Sequence, residues 1–196
     1  MSTATTFASE LAMPLPIHRF SVDQYRQLGE LGVLTPEDRV ELLEGWIVEK
    51  LNQRPIHGFA VGFLSDWLQA FRLSNWIVRC QLPITTQLSE PEPDVAIAIG
   101  QHSDYRHRHP GGADCRLVIE VADTSLAKDR AKASIYAAAG VDEYWIVNLV
   151  DNQLECYSDS DGVRYQNQAT AGVGQAKETS IGDTVIRLDL DELFAH

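Results

Sequence analysis

EPEPDVAIAIG (residues 90–100), RLVIEVADTS (116–125), DRAKASIYAAAG (129–140) and EYWIVN (143–148) follow one another through the middle of the chain. The first, second and fourth are short apolar runs bounded by turn residues, as buried strands are. The third is alanine-rich and stops at Gly140, as a helix with a glycine C-terminus does. A strand–helix–strand pass makes a right-handed parallel crossover. Side chains alternate along a strand, so Val118, Glu120 and Ala122 share one face while Ile119 and Val121 share the other. Glu120 is then an acid on an otherwise apolar strand. A buried carboxylate is costly unless a metal, a cation or water meets it, and Asp94, just ahead of VAIAI, poses the same problem. On the helix, Asp129, Lys132 and Tyr136 fall at i, i+3 and i+7 on one face.

Outward from this centre the signals are local. Upstream, Ser21 with Gln24 three residues on is a capping box that starts a short helix through SVDQYRQLGELG. Thr35-Pro36-Glu37-Asp38 repeats the start signal. RVELLEGWIVEK reads as two brief strands around Glu44-Gly45. From Gly58 to Phe71, apolar residues recur at helical spacing. WIVRCQLPITTQL is a strand interrupted at Pro83, and Pro91 and Pro93 stiffen the approach to Asp94. Downstream, Asp151-Asn152 and DSDG turn the chain through QLECYS and VRYQNQ in a meander. Residues 169–183 are rich in Gly and Thr, and TVIRLDLDELF closes with a strand and a short helical end. The expected class is α/β (α+β): a mixed central sheet flanked by helices, with extra antiparallel hairpins. Residues 1–19, with two prolines and no periodicity, read as a tail, and 20–196 as a single domain.

The bulk properties narrow the classes. A composition of 44% hydrophobic and 22% charged residues is that of an ordinary soluble protein. No apolar run approaches the roughly 18 residues of a membrane span, and MSTATTFASELAMPLP lacks the basic and apolar regions of a secretory leader. Cys80, Cys115 and Cys156 are odd in number and far apart, which suits a reducing, cytoplasmic setting. The net charge of −12 opposes a simple phosphate-gripping surface. It is uneven, however. Residues 1–53 carry 4 basic and 8 acidic side chains, residues 133–196 carry 3 and 11, and residues 54–132 carry 9 of each. If DNA is touched, the neutral middle touches it.

Two carboxylates on neighbouring strand ends with a lysine close by are what a metal-dependent phosphodiesterase needs. A hard divalent ion such as Mg²⁺ takes one or two carboxylates and fills its shell with water and phosphate. Such an ion polarises the phosphate and acidifies a bound water, and Lys132 would orient that water or offset developing charge. These residues together resemble a known family. Asp94 in PDV, Glu120 in IEV, the D-x-x-K of Asp129 and Lys132, and AAAGVDEYWIV are similar to the Uma-type restriction endonucleases, bacterial members of the PD-(D/E)XK nuclease superfamily. The likeness runs over roughly residues 20 to 165 and takes in RVELLEG with Glu41, and His57. It implies a restriction-endonuclease-like core and a Mg²⁺-dependent endodeoxyribonuclease for which Mn²⁺ substitutes. Asp94, Glu120 and the Val121 carbonyl would be the metal ligands, with Glu41 and His57 in support. The superfamily's usual lysine, two residues after the glutamate, is here Ala122, so Lys132 would be a lysine relocated to the helix.

Plainer readings stand beside these. Asp94 alone is a post-proline turn acid, Lys132 alone a solvated lysine, and Tyr136, Tyr144 and Trp145 core aromatics. His102, His107 and His109 lack zinc-binding helical spacing and suit a polar loop. The acidic C-terminal third is a solvated face. Two other functions fit the same residues: a catalytically inactive nuclease fold that binds or assembles, and a metal-dependent hydrolase of a smaller phosphate ester. A homodimer suits a cut in both strands.

Overall fold

The computed structural model describes residues 17–194, so the tail expected over residues 1–19 falls almost wholly outside the described residues. Helix α1 (Val22–Glu30) opens with the expected capping box: Gln24 N–H donates to Ser21 Oγ, and Ser21 N–H to Gln24 Oε1. The second start signal yields only a 3-10 turn, Pro36–Asp38. Arg39 ends it by entering the left-handed region (φ 50°), and strand β1 (Val40–Leu43) begins one residue later. β1 pairs with β2 (Trp46–Glu49) in an antiparallel hairpin. Positive φ at both Glu44 (50°) and Gly45 (78°) is what a two-residue hairpin turn needs. The long helix α2 (Pro55–Ala70) starts three residues before Gly58, on a proline suited to the first turn.

The central sheet has six strands in the order β3-β4-β5-β6-β7-β8. They are β3 (Trp76–Cys80), β4 (Val95–Ile99), β5 (Cys115–Ala122), β6 (Glu143–Asn148), β7 (Gln153–Ser160) and β8 (Tyr165–Gly172). Helix α3 (Leu126–Ala139) makes the crossover between β5 and β6, which run parallel; every other neighbouring pair is antiparallel. The expected alternation along β5 divides two cores. Leu117, Ile119 and Val121 pack with Ala60, Leu64 and Leu68 of α2, and with the end of the chain. Val118 and Ala122 pack with Tyr136 of α3 and with Tyr144 and Ile146 of β6. The final hairpin, β9 (Ala176–Ile181) with β10 (Thr184–Asp189), and helix α4 (Leu190–Phe194) complete the α2 side through Ile181, Ile186, Leu188 and Leu193. β9 has no counterpart in the sequence reading, because AKETSI shows only two inward positions, Thr179 and Ile181. Among the described residues no helix is long and apolar enough to cross a membrane.

Candidate active site

The β4–β5 register places the two central acids side by side. Val95 pairs with Ile119, so the next step along both strands sets Asp94 against Glu120. Asp94 Oδ2 accepts a hydrogen bond from Val121 N–H (2.8 Å) and lies 3.1 Å from His57 Nε2, which α2 supplies from its first turn. Among the described residues Asp94 Oδ1 has only a 3.5 Å contact from Gln81 Nε2. Val121 therefore meets Asp94 through its N–H; its carbonyl is the group that the family resemblance singled out.

Lys132 does reach the acids from the helix. Its Nζ stands 2.9 Å from Glu120 Oε1 and 2.9 Å from Glu41 Oε2. Glu41 comes from β1, which the hairpin pins to the approach to β4: Glu90 N–H donates to Leu42 O, and Gly45 N–H to Leu88 O. Tyr136, one turn beyond Lys132, donates to the same Glu120 Oε1 at 2.8 Å. Glu120 Oε2 takes no hydrogen bond among the described residues. Asp129 accepts from the Ser125 hydroxyl at the start of α3, and Lys128 Nζ reaches Glu41 Oε1 at 2.9 Å. The seven side chains that the sequence singled out are thus all brought together, and all are buried; Glu41 (1% exposed), Lys132 (3%) and Glu120 (4%) are nearly closed off. The histidines of the 102–109 loop stay out of this group: His102 and His107 are exposed, and His109 is half-buried.

Of the seven side chains, all but Tyr136 line a cleft of about 630 Å³ between the β1–β2 hairpin, the segment after β2, the ends of β4 and β5, and the start of α3. Two acids, Asp123 and Glu92, and three cations, Arg39, Lys50 and Lys128, on its walls were not singled out from the sequence. Asp123, just past β5, is buried and paired with Arg54. Lys128 lies one turn before Lys132, and that i, i+4 spacing was its available signal. Glu92, two residues before Asp94, pairs with Lys50.

Too many carboxylates share this space for all to ionise freely. Burial pushes the Glu120 carboxyl up to about 8; Asp129, Asp94 and Glu41 add to the rise, and Lys132 opposes it. Asp129 also rises, through burial. For Glu41 burial pulls upward too, but Lys132 and Lys128 on its two oxygens outweigh it and lower it. Burial disfavours the Lys132 ammonium, yet Glu120 and Glu41 overcome this and raise it well above the usual lysine range. His57 is likewise raised, Asp94 outweighing the burial of the ring. Glu41, with a lysine on each oxygen, is the acid best supplied with positive charge, and burial makes Glu120 the acid hardest to ionise.

Comparison with solved structures finds the same fold in a protein from Anabaena variabilis ATCC 29413, described as a "putative nuclease belonging to DUF820". The two agree with a TM-score of 0.71 over 90% of this chain and 98% of that one, at 14% identity, which is a likeness of fold. No curated protein matches. The model of the Uma2 family, described as "Putative restriction endonuclease", matches residues 22–191, the hairpin, all six sheet strands and the cleft included. The chain belongs to that family.

Proposed function

We propose that the cleft is the active site of a Mg²⁺-dependent endonuclease that hydrolyses DNA phosphodiester bonds with water. One observation carries this reading: two carboxylates, Asp94 and Glu120, lie adjacent in register at a buried floor, each with one oxygen little used by the protein, and a lysine touches one of them. The donor set fits a hard ion. Among the described residues no group of three or more His, Cys, Asp or Glu side chains is arranged to hold a metal unaided. Mg²⁺ does not need one, since it keeps several waters and leans on substrate phosphate. Asp94, Glu120 and the Val121 carbonyl are the ligands in this reading, and Mn²⁺ substitutes. When bound, the ion polarises the scissile phosphate and acidifies a coordinated water.

The chain's own residues supply the rest. His57 and the Val121 N–H fix the Asp94 carboxylate from one side, turning Oδ1 toward the cleft. Tyr136 holds Glu120 by Oε1. Lys132, positioned by Glu41, sets a cation beside Glu120, where it offsets negative charge building on the phosphate oxygens. Asp129, one turn before Lys132, adds a further acid to the lysine's surroundings. The family's description as a restriction endonuclease supports DNA as the substrate. The same reading takes residues 20–196 as a single domain, cytoplasmic in view of three unpaired cysteines, and a homodimer for cutting both strands.

A plasmid-nicking assay with Mg²⁺ and Mn²⁺ tests this, with wild type beside Glu120→Ala and Lys132→Met and a thermal melt of each to check folding. Nicking by wild type that disappears in both folded variants is the expected result. A second reading, a nuclease fold kept for binding alone, has Ala122 at the usual lysine position in its favour. It takes over if wild type neither nicks nor binds Mn²⁺ by calorimetry.

A further inference from the structure

Acids and one lysine, Lys132, are buried in the cleft, and three further cations line it nearer the surface. Glu41, Asp94, Glu120 and Asp129 are buried at its floor, while Arg39 at the rim is exposed and Lys50 and Lys128 are half-buried. Two of these rim cations are already neutralised, Lys50 by Glu92 and Lys128 by Glu41. Arg39 is not. Among the described residues it has no carboxylate partner: Nη1 donates to Asn52 Oδ1 at 2.6 Å and Nη2 to the Leu51 carbonyl at 3.1 Å, both neutral acceptors. Its backbone is left-handed (φ 50°), in the one residue between the 3-10 turn and β1, and its carbonyl accepts from Lys50 N–H at 2.7 Å. That conformation ends the 3-10 turn, and together with the two bonds to residues 51 and 52 it sets where the Arg39 side chain lies. A guanidinium so held, on the wall of a cleft with acids below, offers its uncancelled positive charge to a phosphate while the fork stays on residues 51 and 52.

We infer that Arg39 is a phosphate clamp, binding a non-scissile phosphate of the nucleic-acid backbone beside the one that reaches the acidic floor. This rests on the endonuclease reading of the cleft and adds the residue that holds the strand over it. In a chain of net charge −12, strand binding needs a cation that no internal acid cancels, and Arg39 is such a cation on the cleft wall. A backbone contact of this kind carries no base preference. It acts on substrate binding and leaves the chemical step alone.

The test uses the full chain and a fluorescein-labelled DNA duplex. Binding is followed by anisotropy with Ca²⁺ over a salt series, and cleavage with Mg²⁺, for wild type, R39A, R39K and K50A. R39A should weaken binding roughly tenfold, lower the slope of log affinity against log salt by about one, and raise KM while kcat holds. R39K should recover the slope. Alanine and lysine meet the same left-handed backbone and lose the same fork to residues 51 and 52, so their difference reports charge on a phosphate. K50A, whose cation is already paired, should change the slope less than R39A. Cleavage by R39A with wild-type KM and slope overturns the clamp and leaves the endonuclease reading standing. Equal defects in R39K and R39A also overturn it, because the arginine would then merely brace the 51–52 segment. A wild type that neither binds nor cuts the duplex removes the endonuclease reading, and the clamp with it.

Discussion

Glu120 has its Oε1 gripped twice, by Lys132 Nζ and Tyr136 OH, while Oε2 is left to the cleft. Two donors on one oxygen fix the carboxylate's rotation, which is what a ligand or a base at that position needs. The hydroxyl of Tyr136 matters only for that hold, since the ring belongs to the core with Tyr144. Tyr136→Phe keeps the ring and deletes the bond, so it should cost about 1–2 kcal/mol of stability in urea melts. If Glu120 acts on a metal, the same change should lower Mn²⁺ affinity or nicking by roughly 10–100-fold, the usual penalty for losing a partner of a ligand. Unchanged Mn²⁺ affinity and nicking in a folded variant would show that the tyrosine serves the core alone. Asp94, Glu120 and Lys132 stand out in the sequence because the two acids adjoin or interrupt apolar strands and Lys132 falls on a helix face with Asp129 and Tyr136. The sequence did not show that Glu41 would be the second partner of Lys132, since that contact joins residues about ninety positions apart through a hairpin docked on a loop. Nor did it show that Val121 would turn its N–H on Asp94.

At the scale of elements, α3 carries the lysine, so whatever fixes α3 against the sheet fixes the site. Its C-terminal end is fitted against the 3-10 turn Gly112–Asp114. A Pro-Gly-Gly run such as residues 110–112 suits a turn on composition alone, but the structure gives Gly112 a different reason. A Cβ there would stand 2.4 Å from both Cβ and O of Ala139, the last residue of α3. Glycine is required for close approach, and flexibility has no part in it. Gly112→Ala should therefore destabilise by about 1–3 kcal/mol, the cost of overpacking, whereas a Cβ on Gly111 meets nothing nearer than 3.8 Å and Gly111→Ala should be close to neutral. Urea midpoints for the two decide it, and similar midpoints would refute the packing argument. Elements with an apolar period, such as β4, β5 and β6, were legible to within a residue or two. β9 was not, because its polar face hides the pattern and its place is set by partners elsewhere: Arg116 and Glu143 both bond the Thr179 hydroxyl.

Across the whole molecule, the acidic excess is managed by giving buried carboxylates specific donors, which ties stability to pH. Glu155 on β7 is the clearest case away from the cleft. Arg130 of α3 holds it with both Nε (3.0 Å) and Nη2 (2.6 Å), and Tyr157 and Asn148 add further bonds. The arginine's hydrogen bonds come first among the causes that keep the Glu155 carboxyl below its usual range, ahead of the opposing effect of burial. A group whose pKa is lower folded than unfolded stabilises the fold above the unfolded value, near 4.3 for glutamate. That contribution is lost as pH falls through the folded value. Half of the Arg130 side chain is exposed, so solvent screens the pair and its worth is about 1 kcal/mol. Glu155→Gln, which keeps the shape and discards the charge, should be less stable than wild type by about that amount at neutral pH. As the medium is acidified past the ordinary glutamate range, wild type should lose this advantage and the two urea midpoints should converge. A gap that stayed constant from neutral to acid pH would mean that Glu155 contributes hydrogen bonding alone, and that the clamp of α3 on β7 is indifferent to its charge.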